Sequence, residues 1–147
     1  ISTAQAAAPA AGSRSATFSV VKEELEIRGN YFIADGVALQ LGAGISNVSE
    51  ENNNAIGLII GLRGYMSTQD SLMPFYGISG KYFNVEKDSN RKSTSIRPNF
   101  GFEYLLAPRV GIELSVGLEF GRTERDERDT VTSTSTFSSL ASVNFYF

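Results

Sequence analysis

Eight charged residues stand at alternate positions within segments that are otherwise apolar or rich in glycine. Four are basic and four are acidic, so they could neutralise one another completely. A buried charge is costly unless it is paired, and such a balanced set is what a closed salt-bridge network requires. If these positions face an interior, we therefore expect ion pairs among Glu26, Arg28, Arg63, Lys81, Arg97, Glu103, Glu113 and Glu119.

The composition removes most other chemistry. The 147 residues predict one domain, and a net charge of -3 gives no indication of a nucleic-acid partner. There is no Cys for a disulfide or thiolate site, and no His to serve as a general base or metal ligand. We therefore expect no catalytic residues, no metal and no cofactor.

The elements that must position the charges are β-strands. Residues 37–45, 56–65 and 110–121 alternate apolar side chains with small or polar ones, which is the period of a strand. Each run has about 10 residues, the length that crosses a bilayer as a tilted strand. We predict strands near 25–32, 36–46, 55–66, 72–83, 94–105, 109–121 and 137–147.

The number of strands has two solutions. Single-chain bacterial barrels normally have an even number, so an eighth strand is expected at 14–21, turning at Lys22-Glu23-Glu24. The alternative is one long strand over 16–32, with the missing edge filled by another chain. We favour eight strands.

The connections alternate in length. Short ones are predicted at 33–36, 67–71 and 107–109, and longer polar ones at 46–54, 84–93 and 122–136. Short periplasmic turns and longer extracellular loops are the pattern of a membrane β-barrel. We interpret the charged segment 122–129 as a solvated loop tip.

The polar face of the strands decides between a soluble and a membrane barrel. A water-exposed face would normally carry Lys, Glu and Thr, because glycine weakens a strand. The polar face of these strands is instead rich in glycine, and small residues are useful inside a narrow eight-stranded barrel. These glycines are Gly42, Gly44, Gly57, Gly61, Gly77, Gly101, Gly111, Gly117 and Gly121. We therefore predict an all-β fold: an eight-stranded, antiparallel, up-and-down transmembrane β-barrel with a polar, plugged interior.

Aromatic residues lie mostly near the predicted strand ends, where interfacial girdles are expected. Ordinary strand preference would explain scattered aromatics, but not their position beside the turns. The predicted girdle comprises Tyr31, Phe32, Tyr82, Phe83, Tyr104, Phe145 and Phe147, with Tyr65 and Tyr146 as further members.

Segments 29–39 and 102–113 each contain a strand, aromatic residues, a short turn and a second strand. In these units the chain resembles the OmpA/OmpX-like family of small outer-membrane barrels, in its porin-like branch. Residues 141–147, with Val143, Phe145 and Phe147, are similar to the terminal signal that the barrel assembly machinery reads. The short first hairpin departs from the family.

The resemblance implies a multi-pass protein of the bacterial outer membrane. Its expected partners are outer-membrane lipids and lipopolysaccharide, the barrel assembly machinery and other outer-membrane proteins. Residues 1–15 are predicted to be a flexible leader and residues 16–147 the barrel. The start of the leader is either the tail of a signal peptide or a mature terminus.

Distance from the short turns predicts two stacked layers of ion pairs. Arg28, Arg63, Glu103 and Glu113 would form the layer near the short turns, and Lys81, Arg97 and Glu119 the far layer, with Glu26 between them. The functional hypotheses are a structural or interaction barrel closed by this network, a narrow gated channel, and an accessory subunit of a larger complex. An outer-membrane enzyme is disfavoured because no His base is present.

Overall fold

The computed structural model describes residues 8–21, 24–48, 53–66, 71–85, 91–125 and 130–147. Eight antiparallel strands pair in sequence order and close into a barrel, with β1 hydrogen-bonded to both β2 and β8. The prediction of eight strands is therefore confirmed over the single long strand. The strands are β1 (Arg14–Val21), β2 (Glu24–Ala34), β3 (Val37–Val48), β4 (Asn53–Tyr65), β5 (Leu72–Val85), β6 (Arg91–Ala107), β7 (Val110–Arg125) and β8 (Thr130–Tyr146).

The outer surface of the barrel is apolar and its interior is polar. Leu41, Leu58 and Leu114 are about 60% exposed, whereas Glu26, Glu103 and Glu113 are fully buried on the opposite face. A soluble protein would reverse this arrangement, and a lipid bilayer favours it. Within the described residues, no helix is long and apolar enough to span a membrane.

The strands are longer than the sequence predicts at the end opposite the short turns. The segment 122–136 was expected to be a loop, but β7 runs to Arg125 and β8 begins at Thr130, with Arg125 paired to Thr130. The reason is that residues 130–136 include four Thr and one Val, β-branched residues that favour strand over loop. The predicted loop tips at 49–52, 86–90 and 126–129 and the turn residues 22–23 and 67–70 lie outside the described residues.

Residues 8–13, which we call the strap, cross part of the short-turn end before β1 begins at Arg14. Pro9 O accepts a hydrogen bond from Gly36 N at 2.8 Å, and Ala11 N donates to Asp35 Oδ1 at 2.8 Å. Gly36 has a φ of 70°, which the tight turn at Asp35-Gly36 requires. β1 begins at Arg14, in agreement with the strand predicted at 14–21. Residues 1–7 of the expected leader lie outside the described part.

Close packing makes some inward glycines irreplaceable, and Gly101 tests this. A Cβ added to Gly101 would lie 2.6 Å from Phe75 Cζ and 2.8 Å from Ser115 Cβ. We expect Gly101→Ala to lower the free energy of unfolding by about 1–3 kcal/mol through overpacking. The measurement is the urea dependence of the folded fraction, read from gel mobility without heating.

Gly29→Ala is the matched control, since an added Cβ there would meet only Leu41 O at 3.8 Å. An equal loss of stability in both variants would contradict the tight packing around Gly101.

Candidate functional site

All eight predicted charged residues occupy inward positions of the barrel. Seven are at most 4% exposed, and Glu119 is half-buried. They come from β2, β4, β5, β6 and β7. β1 contributes no inward charge and presents the small hydroxyl residues Ser15, Thr17 and Ser19 instead. The interior is therefore the candidate site, and its contacts form two groups.

The first group lies toward the end with the longer connections. Glu26 forms ion pairs with both Arg28 and Lys81. Lys81 Nζ also lies 3.3 Å from Glu24 Oε1. Glu24 was predicted to lie in a turn and was therefore left out of the network. It is the first residue of β2, and residues two apart on a strand share a face, so its spacing from Glu26 was the signal that both point inward.

The second group lies nearer the short turns and centres on Arg63. Its guanidinium donates to both oxygens of Glu113, at 2.6 Å from Nη1 and 2.9 Å from Nη2. Such a bidentate pair is among the strongest side-chain contacts. Asn144 Nδ2 donates to Glu113 Oε2 at 3.1 Å, and the guanidinium lies 4.0 Å from the ring centroid of Phe75.

The two predicted layers need correction at Arg28. Arg28 was placed in the layer of Arg63, but it pairs with Glu26, two residues earlier on the same strand. Residues two apart on a strand share a face, so Glu26 and Arg28 lie side by side on the inner wall. Beside it, amides and hydroxyls fill the wall: Asn30 accepts from Gln40 Nε2 at 2.8 Å and donates to Thr17 Oγ1 at 2.8 Å.

Three of the eight residues form no ion pair within the described part of the chain: Arg97, Glu103 and Glu119. Glu103 Oε1 accepts a hydrogen bond from Tyr146 OH at 2.8 Å, while its Oε2 has no protein partner. Arg97 is 2% exposed, and its Nε and Nη2 have no protein partner either. The ion pairs thus centre on Arg63 and on Glu26, and they leave out Arg97, Glu103 and Glu119.

The structure corrects the predicted aromatic girdle. Phe32, Tyr65, Phe83 and Tyr146 point into the barrel, because the alternation along each strand turns every second aromatic inward. Five predicted members do face outward: Tyr31, Tyr82, Tyr104, Phe145 and Phe147. Val143 of the predicted assembly signal faces outward with Phe145 and Phe147.

The inward aromatics form a layer that sequence reasoning missed. Phe32 lies 5.8 Å from Tyr65 and 6.4 Å from Tyr146, and Tyr65 lies 5.7 Å from Phe75, all measured between ring centroids. Met73 and Ala8 of the strap pack against the same cluster. We call Phe32, Tyr65, Met73, Phe75 and Tyr146 the aromatic layer. It lies between the Arg63–Glu113 pair and the short-turn end.

No metal site is evident in the part of the chain that the structure describes, where no three His, Cys, Asp or Glu side chains are grouped to hold an ion. The chemistry that the interior offers is charge pairing and hydrogen bonding.

Comparison with known proteins shows similarity in structure without detectable similarity in sequence. No family model matches the chain, and no curated protein matches its sequence. The structure is similar to the N-terminal β-barrel domain of Pseudomonas aeruginosa OprF, with a TM-score of 0.66, 16% identity, and coverage of 95% of this chain and 100% of that domain. It is also similar to Neisserial surface protein A (NspA), with a TM-score of 0.60, 14% identity, and coverage of 92% and 94% of the two chains.

These matches agree with the inverted polarity of the barrel, apolar outside and charged inside. The resemblance predicted from the sequence is confirmed at the level of the fold. The chain has the fold of the small, eight-stranded, OmpA-like outer-membrane β-barrels.

Proposed function

We propose that this protein is an integral barrel of the bacterial outer membrane with a structural or interaction role, and that its lumen is closed to solutes. The observation that carries this proposal is the sequence of barriers at the short-turn end. The bidentate Arg63–Glu113 pair is followed by the aromatic layer and then by the strap. An eight-stranded barrel is narrow enough for side chains to fill it.

The contacts of Arg63 support a permanent closure. The guanidinium is 2% exposed, forms two hydrogen bonds with Glu113, donates to Tyr65 OH at 3.2 Å and stacks on Phe75. Moving it would break several contacts at once and leave Glu113 unpaired. The cost of an uncompensated buried charge opposes such an opening.

The other end of the barrel supports an interaction role. The strands β6, β7 and β8 are 16 or 17 residues long, against 8 residues in β1. On β7 the outward apolar series ends at Phe120, and the next outward residues, Arg122 and Glu124, are more than half exposed. This side of the wall therefore continues above the apolar band and offers polar side chains to a partner.

A narrow gated channel is the second candidate. It is favoured by Arg97 and Glu119, which lie on neighbouring strands and form no ion pair within the described residues. A charged group without a fixed partner could exchange between carboxylates, since Glu26, Glu113 and Glu119 also occupy inward positions of the lumen. The aromatic layer would still have to open for ions to pass.

The buried pair gives a stability prediction. Glu113→Gln leaves Arg63 buried without its counter-charge, so we expect a loss of about 3–5 kcal/mol in the free energy of unfolding. The double variant Arg63→Met, Glu113→Leu removes both charges and should recover most of this loss. Urea unfolding in lipid vesicles measures both values. Additive losses in the double variant would show that the two residues act independently.

Conductance separates the closed barrel from the channel. We expect the unmodified protein to be silent in planar bilayers. The double variant Tyr65→Ala, Phe75→Ala should conduct, because it thins the aromatic layer and removes the two rings that hold Arg63 in place. Tyr104→Ala removes an outward aromatic that is 51% exposed and should remain silent. Steady conductance of the unmodified protein, altered by Arg63→Ala or Glu113→Ala, would support the channel and exclude the closed barrel.

The interaction role is tested by purification from the native membrane without denaturing detergent, followed by identification of co-purifying chains. A chain retained by the protein but lost on Arg122→Ala, Glu124→Ala would support the role. Retention of the same chains by both proteins would place the contact elsewhere on the barrel and contradict the proposed surface.

A further inference from the structure

A pocket of about 270 Å³ opens at the short-turn end, beside the strap. Its apolar lining includes Met73, Leu105 and Tyr146 of the barrel interior, together with Pro9 of the strap. Arg14 and Arg109 also line it. The pocket thus joins an apolar floor, which belongs to the aromatic layer and the strap, to two cationic side chains that the ion-pair network does not use.

The two arginines are held on either side of the end of β8. Arg14 O accepts a hydrogen bond from Phe147 N at 3.1 Å, and Arg109 O accepts one from Tyr146 N at 2.9 Å. Arg14 opens β1, and Arg109 belongs to the turn between β6 and β7. Because β8 runs between these two elements, their positions relative to the pocket are set by the barrel itself.

Both arginines are available to bind an anion. Their side chains are exposed, and neither forms an ion pair with any residue that the structure describes. Among the described residues, no Asp or Glu side chain lines the pocket. The charged side chains of its rim are therefore both cationic, and guanidinium groups suit phosphate particularly well.

The pocket lies at the expected level of the lipid headgroups. Arg14 is paired in register with Tyr31, an outward aromatic, and Phe147 beside it is 73% exposed. Outward aromatics mark the boundary between the hydrocarbon and the headgroups, and arginines near that boundary reach the phosphates. At the short-turn end this boundary belongs to the inner, periplasmic leaflet.

We propose that this pocket binds the phosphate of an anionic phospholipid of the inner leaflet, held between Arg14 and Arg109, with the glycerol carbons against the exposed Pro108 and Phe147. The inference rests on the proposed placement of the barrel in the outer membrane. It adds a specific lipid site to a barrel whose lumen is closed. A lipid phosphate meets both demands of the pocket, an anionic group and an apolar continuation.

The test is native mass spectrometry of the full chain, folded in detergent with phosphatidylglycerol or phosphatidylcholine as the probe. We expect one phosphatidylglycerol to remain bound to the unmodified protein. Arg14→Gln and Arg109→Gln should each weaken retention about tenfold, because each removes a charge-assisted hydrogen bond. Lys92→Gln is the control, since Lys92 is an exposed basic residue that lies outside this pocket.

Several results would overturn the site. Equal weakening by Lys92→Gln would mean general attraction of lipid to a charged surface. Equal retention of phosphatidylcholine and phosphatidylglycerol would exclude selection for an anionic lipid. Displacement of the lipid by inorganic phosphate at comparable concentration would identify a free-anion site instead.

The fold is checked separately in every sample by the heat-modifiable gel shift. Loss of that shift in the unmodified protein would contradict the barrel and its proposed function, whereas a normal shift without lipid retention contradicts only the site. Should either Gln variant fail to fold, Arg14→Lys and Arg109→Lys keep the charge and serve in its place. We expect them to retain lipid more weakly than arginine, since Lys cannot bind phosphate through two nitrogens of one planar group.

Discussion

Every backbone N–H and C=O group inside a bilayer needs a hydrogen-bond partner within the protein, and a closed sheet supplies one. Here β1 pairs with β2 on one side and with β8 on the other, so the ring of strands is complete. Closure gives each strand one face toward lipid and one toward the lumen. The apolar exterior and the charged interior are both consequences of that geometry.

A narrow lumen limits which side chains can face one another. Bulky inward residues lie against glycines: the Phe83 ring lies over Gly57, and the Phe75 ring approaches Gly101. Arg63 reaches Glu113 across the lumen, from β4 to β7, and fills the space that the glycines leave. Packing and charge pairing therefore depend on each other, since a larger residue at a glycine position would displace an aromatic ring or a charged group.

The two ends of the lumen differ in the contacts that fill them. Near the short turns, the bidentate Arg63–Glu113 pair lies against the aromatic layer. Toward the other end, Glu26 pairs with Arg28 and Lys81. Buried polar atoms without a protein partner occur in both regions, among them Glu103 Oε2 near the short turns and two nitrogens of Arg97 farther away. The outer wall and the rims of the barrel are then the surfaces that contact lipid or other chains.

The sequence by itself determined the strands, their inward and outward faces and the charged interior. The reason is that side chains alternate between lipid and lumen along each strand, so the local order of apolar and polar residues records both environments. It could not determine which charges meet. Glu113 and Arg63 are 50 residues apart, and only the register of the closed barrel brings them together. The aromatics show the same division: Phe32 and Tyr31 look alike as neighbours near a turn, yet strand phase sends one into the lumen and the other to the membrane. The strap and its pocket depend on contacts with the β2–β3 turn and the end of β8, which no local pattern encodes, so only the tertiary structure decided them.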